Sequence, residues 1–229
     1  VNTGVYCAAG PNPIFLRLFM AQIARQTVLP KFLAIYENGN KTSAFNWACG
    51  EIVAELRSKG VTVLHKHSSV AATSVVRYFE PLRMLLHTTE TDIFLKMDLD
   101  DFYSDNYVDN TSRMLGGNDW SINLNSGIAL VRPFHGDFKY KASVVMKHSP
   151  LGAAPSHVVF NRKFGNKYLI ALGGYLERED IADDEVMALT LEDMKTQKVD
   201  GPTDYIYVSH GNNLSSYAWQ NTGGRVYLD

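Results

Sequence analysis

Hydrophobic positions alternate along this chain between short unbroken runs and longer stretches at helical spacing. Val5 to Ala9 is an apolar run halted by Gly10-Pro11-Asn12-Pro13, where proline and glycine cannot continue a central strand. Asn12 then reads as an N-cap with Pro13 at the first helical position. Phe15, Leu18, Phe19 and Ile23 follow at helical spacing, which predicts a helix to about Gln26. Phe32 to Tyr36 is strand-like and Glu37-Asn38-Gly39-Asn40 is a turn. Phe45, Cys49, Ile52, Val53 and Leu56 predict a second helix, stopped at Gly60. Val61 to Leu64 reads as a third strand, Ala71 to His87 as a helix and Asp92 to Met97 as a fourth strand. Strands separated by helices imply parallel crossovers, hence an α/β sandwich of three layers.

After Asp101 the pattern changes. Ser104 to Leu115 reads as helix, whereas Ile122 to Val131 and Phe138 to Val145 read as longer strands and suggest a mixed sheet. Further expectations are a helix over Pro155 to Phe164, a strand at Tyr168 to Leu172, a helix over Asp183 to Met194 and a strand at Tyr205 to Ser209.

With 229 residues, 45% hydrophobic and 20% charged, the chain is long enough for one compact domain or two small ones. Its 22 basic and 24 acidic residues supply no general drive toward nucleic acid or anionic membrane, so any phosphate must be bound locally. Cys7 and Cys49 lie in apolar surroundings far apart in sequence, which suits buried thiols and a reducing compartment. No apolar run is long enough to span a bilayer and no signal peptide is evident, so a cytoplasmic location is expected. The chain starts at valine, as an excised catalytic part of a longer protein with further domains would.

The sharpest chemical feature is Asp98-Leu99-Asp100-Asp101, directly after the fourth strand. Alternating carboxylates beyond a strand end can face one crevice, where open α/β sheets bind ligands. Carboxylate oxygens suit magnesium or manganese, with water and phosphate oxygens completing the shell. The competing reading is a solvated acidic turn. Two companions favour the metal: Asp183-Asp184-Glu185 at a helix start, and His210-Gly211-Asn212-Asn213 after a late strand.

Together these residues resemble the GT-A glycosyltransferases, and among them the inverting family 2 enzymes, from the first strand to about Ser215. The shared pieces are Gln26-Thr27-Val28-Leu29-Pro30 after the first helix, the turn at Glu37, the Asp98-Leu99-Asp100 motif, the acidic pair and His210-Gly211-Asn212-Asn213-Leu214-Ser215. The resemblance implies one GT-A domain over 1–229, with a nucleotide-sugar half at 1–101 and an acceptor and catalytic-base half at 102–229. It implies nucleotide contacts at Glu37, Asn38, Arg77 and Asp98, and Mn2+ or Mg2+ held by Asp98, Asp100 and His210. Asp184 would be the catalytic base, with Asp183 the fallback. The donor would be a nucleoside diphosphate sugar, UDP favoured, and the acceptor a glycan or glycoconjugate hydroxyl.

A metal clamp of that kind stabilises charge on the departing diphosphate, while a base on the opposite face gives inversion. Trp120 is a candidate platform for an acceptor sugar, and the segment Ser156 to Arg162, with His157, a candidate wall. A haloacid dehalogenase-like phosphatase also uses Asp-x-Asp after a strand, but there the motif continues to threonine and lies on an early strand. Here Phe102-Tyr103 follows. A non-catalytic nucleotide-sugar-binding module is the alternative outside enzymes.

Overall fold

The computed structural model describes residues 1–132, 137–144, 151 and 157–209. Its first half follows the hydrophobic pattern closely: β1 (Thr3–Ala9), α1 (Pro13–Ala24), β2 (Phe32–Asn38), α2 (Phe45–Ser58), β3 (Thr62–Ser68), α3 (Ser74–Thr88) and β4 (Ile93–Lys96). The punctuation works as expected. Asn12 Oδ1 accepts from the backbone N–H groups of Ile14 and Phe15 at 3.0 and 3.4 Å, and Gly60 takes φ of +85° just past α2.

The remaining elements are β5 (Phe102–Tyr103), α4 (Tyr107–Met114), β6 (Trp120–Asn123), β7 (Ser126–Arg132), β8 (Asp137–Val144), β9 (Val158–Asn161), α5 (Arg162–Gly173), α6 (Asp183–Thr190), β10 (Thr196–Val199) and β11 (Tyr205–Ser209). The seven-stranded sheet runs β10-β6-β9-β4-β1-β2-β3, and a four-stranded sheet runs β5-β11-β7-β8. β9 is antiparallel to both β4 and β6, which makes the central sheet mixed, as expected.

Alternate strand residues feed opposite layers. Val5, Cys7, Leu33 and Ile35 pack with α1, α2 and α4, whereas Tyr6, Ala34 and Phe94 pack with α3, α5 and α6. β1 lies between β2, reached by a crossover on one face, and β4, reached through α3 on the other. The strand order therefore reverses between β1 and β4, and ligand crevices open at the carboxyl edge of such a reversal.

Three expectations are corrected. Residues 158–161 are strand, not helix, because the β-branched and aromatic run Val158-Val159-Phe160 fills the gap between β4 and β6. The helix starts one residue later, with Asn161 Oδ1 accepting from Phe164 N–H at 3.0 Å. Tyr168 to Leu172 is helix, not strand, because Phe164, Tyr168 and Leu172 recur every four residues on one buried face. The expected strand from Ile122 to Val131 breaks at Leu124-Asn125 into β6 and β7 of different sheets. Asn123 Oδ1 accepts from Asn125 N–H at 3.0 Å and turns the chain. Among the described residues, no helix is long and apolar enough to cross a membrane.

Candidate active site at the carboxyl edge of the central sheet

β4 ends at Lys96, and the acidic turn at 98–101 emerges from the switch point. Two glutamines of α1 hold the chain beyond it. Gln22 accepts from Tyr103 N–H at 2.8 Å and donates to Asp101 C=O at 3.0 Å. Gln26 donates to Ser104 C=O at 2.8 Å and accepts from Val108 N–H at 2.9 Å. Tyr103 closes the turn from inside: its hydroxyl accepts from Asp98 N–H at 2.6 Å and donates to Asp98 C=O at 3.1 Å.

The three acids of the turn face differently. Asp98 and Asp100 are half-buried at the edge, and the Tyr78 hydroxyl donates to Asp98 Oδ1. Burial, with the charges of Asp98 and Asp183, pushes the Tyr78 phenol well up, so it acts as the donor. Asp101 points inward, accepting from Tyr205 Oη at 2.6 Å and from Val208 N–H at 2.8 Å. Burial and its two acidic neighbours raise its carboxyl. Asp101 thus docks β11 onto the turn, and β11 is the strand that precedes His210. His210 itself lies outside the described residues.

Joined to the end of β4, α6 begins with the acidic pair. Asp183 is buried, its Oδ2 2.6 Å from Lys96 Nζ and its Oδ1 accepting from Ser74 Oγ at 3.0 Å. Its backbone carbonyl accepts from Tyr168 Oη at 3.0 Å. Lys96 is itself 2% exposed, with its ammonium 3.9 Å from the centre of the Tyr78 ring. Burial alone would lower its pKa, but Asp183 and Asp98 outweigh that and raise it, so it stays charged. Asp184 is half-buried, and its Oδ1 accepts from Glu185 N–H at 3.1 Å. Burial first, then the neighbouring Asp183, raises its carboxyl above the ordinary aspartate value. That is the environment of a proton acceptor tuned upward.

Arg77, on α3, lies beside the end of β1: a methyl group added to Gly10 would stand 3.8 Å from its Nη2. Its Nε is buried without a hydrogen-bond partner among the described residues. An orphaned guanidinium nitrogen beside such a crevice suits an anion.

Four expected contacts take other positions. Glu37 is fully buried, and its carboxylate accepts from Ser43 Oγ at 2.5 Å and Ala44 N–H at 2.6 Å, with His65 Nε2 at 3.2 Å. Burial would raise its pKa, but these hydrogen bonds outweigh it and hold the carboxyl low. Asn38 is also buried, donating to Ala9 C=O at 3.0 Å and accepting from Ala72 N–H at 3.2 Å. The pair therefore fastens the start of α2 and the approach to α3 instead of facing a nucleobase. Trp120 is 1% exposed within the core of α3, α5 and α6, so it is no platform for a sugar.

His157 is also 1% exposed, its ring 5.5 and 5.6 Å from those of Tyr107 and Tyr205. Together with Asn110, Met114, Val199 and Pro202 it lines a partly open pocket of ≈ 290 Å³. Arg162 donates to Leu86, Thr89 and Thr91 carbonyls at 2.8–2.9 Å and so caps α3.

The pattern reading gives no role to Lys96, Tyr78, Tyr103 or Gln22, and takes Gln26 only as part of the segment after the first helix. Only Lys96 left a local signal, as a lysine at the end of an apolar strand, two residues before Asp98. Among the described residues, no group of three or more histidine, cysteine, aspartate and glutamate side chains forms a cation cluster. The half-buried carboxylates of Asp98 and Asp100 are two hard oxygen donors. Such a pair fits a divalent cation that takes its other ligands from diphosphate and water.

No protein-family model and no curated protein sequence matches the chain. Solved structures do. S. aureus TarS 1-349 in complex with UDP aligns over 91% of this chain and 61% of its own, at 9% identity and a TM-score of 0.61; another TarS structure holds UDP-GlcNAc. Mannosyltransferase PcManGT from Pyrobaculum calidifontis, in complex with GDP-Man and Mn2+, aligns over 96% of this chain and 59% of its own, at 13% identity and a TM-score of 0.58. Glycosyltransferase GlyE of Streptococcus pneumoniae aligns over 87% and 45%, at 15% identity and a TM-score of 0.52. The chain thus spans less than two thirds of the length of each. At these identities the likeness speaks to architecture, and the architecture is the GT-A-like α/β sandwich with a mixed central sheet.

Proposed function

We propose that this chain is the catalytic part of a metal-dependent, inverting glycosyltransferase that moves a sugar from a nucleoside diphosphate sugar to a hydroxyl of a glycan or glycoconjugate. The observation that carries this reading is the arrangement across the switch-point crevice. The turn bearing Asp98 and Asp100 and the helix start bearing Asp184 are joined through one buried ion pair, Lys96 with Asp183. The glycosyltransferase neighbours and their nucleotide ligands support it.

In this reading Asp98 and Asp100 would hold Mn2+ or Mg2+, with His210 as a further ligand, and the bound ion would supply positive charge toward a departing diphosphate. Arg77 binds the nucleotide through its guanidinium group, whose Nε has no hydrogen-bond partner among the described residues. Asp184 accepts the proton of the attacking hydroxyl at a carboxylate oxygen, and its raised pKa makes it a better acceptor than an ordinary aspartate. UDP is the favoured nucleotide, and a cytoplasmic location is part of the proposal.

A thermal-shift panel of nucleoside diphosphate sugars, with and without Mn2+, tests the reading. A metal-dependent rise with one nucleotide series supports it. Hydrolysis of simple phosphoesters, with no response to any nucleotide sugar, would establish the phosphatase alternative instead.

A further inference from the structure

We infer that Lys96 and Tyr78 position the catalytic base: they form a bridge that links the helix start bearing Asp184 to the carboxylate of Asp98. The inference rests on the glycosyltransferase reading above and adds two residues to its machinery. The bridge is continuous. The Tyr78 hydroxyl donates to Asp98 Oδ1, the Lys96 ammonium lies 3.9 Å from the Tyr78 ring centre, and the same ammonium stands 2.6 Å from Asp183 Oδ2. Asp184 is the next residue, in the first turn of α6.

Three elements clamp that turn at Asp183: α3 through Ser74, β4 through Lys96 and α5 through Tyr168. Ser74 and Tyr168 contribute neutral hydrogen bonds, whereas Lys96 contributes the charge. Lys96 is 2% exposed, so water cannot replace it if it is removed. Tyr78 also holds one oxygen of Asp98 through its hydroxyl. A strand-end lysine thereby couples two acids that lie 86 positions apart in the chain, a separation read from Asp98 and Asp184.

The charged and titratable groups bearing on Asp184 are Asp183 and Glu185 on its own helix, Lys96 of β4 and Tyr168 of α5. Lys96 is the cation among those that act on it, and it pulls the Asp184 carboxyl down against burial and Asp183. Removing that charge should therefore raise the acid limb of the rate profile.

The test measures sugar transfer and UDP-sugar binding with Mn2+ in the wild type, Lys96→Met, Lys96→Arg and Tyr78→Phe. Misplacing a catalytic group by about 1 Å costs roughly 100-fold in rate. The expected result for Lys96→Met is a fall in kcat of about that size, a donor KM within about threefold of wild type, and an acid limb moved to higher pH. Lys96→Arg should recover part of kcat, and Tyr78→Phe should lower kcat with the acid limb unmoved. Wild-type kcat and an unmoved limb in Lys96→Met would overturn the inference, as would a rise in donor KM that accounts for the whole loss.

If Lys96→Met does not fold, the double variant Lys96→Met, Asp183→Leu replaces the ion pair with apolar groups, which proteins commonly tolerate. Transfer near wild-type rate in that variant overturns the inference, and a folded, donor-binding but inactive variant supports it. A wild type with no turnover on any nucleotide sugar sinks the glycosyltransferase reading and this inference together. An active wild type with an unimpaired Lys96→Met sinks the inference alone.

Discussion

Lys96 Nζ stands 2.6 Å from Asp183 Oδ2 with both side chains almost wholly buried, and this contact gives two adjacent acids different environments. Asp183 spends its carboxylate on Ser74 and Lys96. Asp184, one residue on, is half-buried with a raised carboxyl.

Asp184→Asn should keep donor binding and lose transfer by about 10²–10⁴-fold, the usual contribution of a positioned base. Asp183→Asn should instead unfold the protein more easily, by roughly 3–5 kcal/mol, because it leaves the Lys96 charge buried and unpaired. Urea titration beside a transfer assay separates the two. Full transfer by Asp184→Asn would move the base elsewhere.

The wild-type rate should rise with pH through the Asp184 ionisation. Because burial and Asp183 raise that carboxyl, the rise should come at higher pH than an ordinary aspartate gives. A rate that is flat with pH down to the ordinary aspartate range would remove Asp184 from the proton transfer.

Asp100→Ala should abolish the Mn2+-dependent thermal shift produced by the nucleoside diphosphate, and Asp98→Asn should weaken it. A chelator should do to the wild type what Asp100→Ala does. Donor affinity indifferent to both would remove the cation from the turn.

Trp120→Ala should cost about 3–5 kcal/mol of stability, as for a large aromatic removed from a packed core. In a milder variant, Trp120→Phe, the KM for the acceptor should stay unchanged. A specific rise in acceptor KM with unaltered stability would return Trp120 to the binding surface.

His157 has its pKa lowered to about 4, chiefly by burial. The unfolded chain takes up a proton near the ordinary value of about 6.5 while the folded protein resists it, so stability rises with pH between those values and is lost on acidification. The contribution is on the order of 3 kcal/mol across that window. His157→Gln should flatten that part of the curve of unfolding free energy against pH, and an unchanged slope would show that another group carries it.

The βα alternation of the first hundred or so residues was legible because each element shows one apolar period and is bounded by local turn and capping residues. Phe19 and Ile23 face the core every four residues, and Val5 and Cys7 every two. The second half was harder. Val158-Val159-Phe160 is a short apolar run that periodicity cannot assign, and only the vacancy between β4 and β6 makes it a strand. Trp120 looked like a platform because an aromatic has the same letter whether it faces a sugar or a core.

What the sequence by itself determined is the α/β layering, the place of Asp98 and Asp100 at a strand end and the presence of an acidic pair opening a late helix. Those follow from local spacing and capping, which act over a few residues. What only the tertiary structure decided is the division of labour within each acidic group. Asp101 turns to Tyr205 and Val208 while Asp98 and Asp100 stay at the edge, and Asp183 turns to Lys96 while Asp184 keeps an environment suited to a base. Neighbouring carboxylates are chemically identical along the chain. They become different when distant hydrogen-bond donors and a buried ammonium are folded against one of them and not the other.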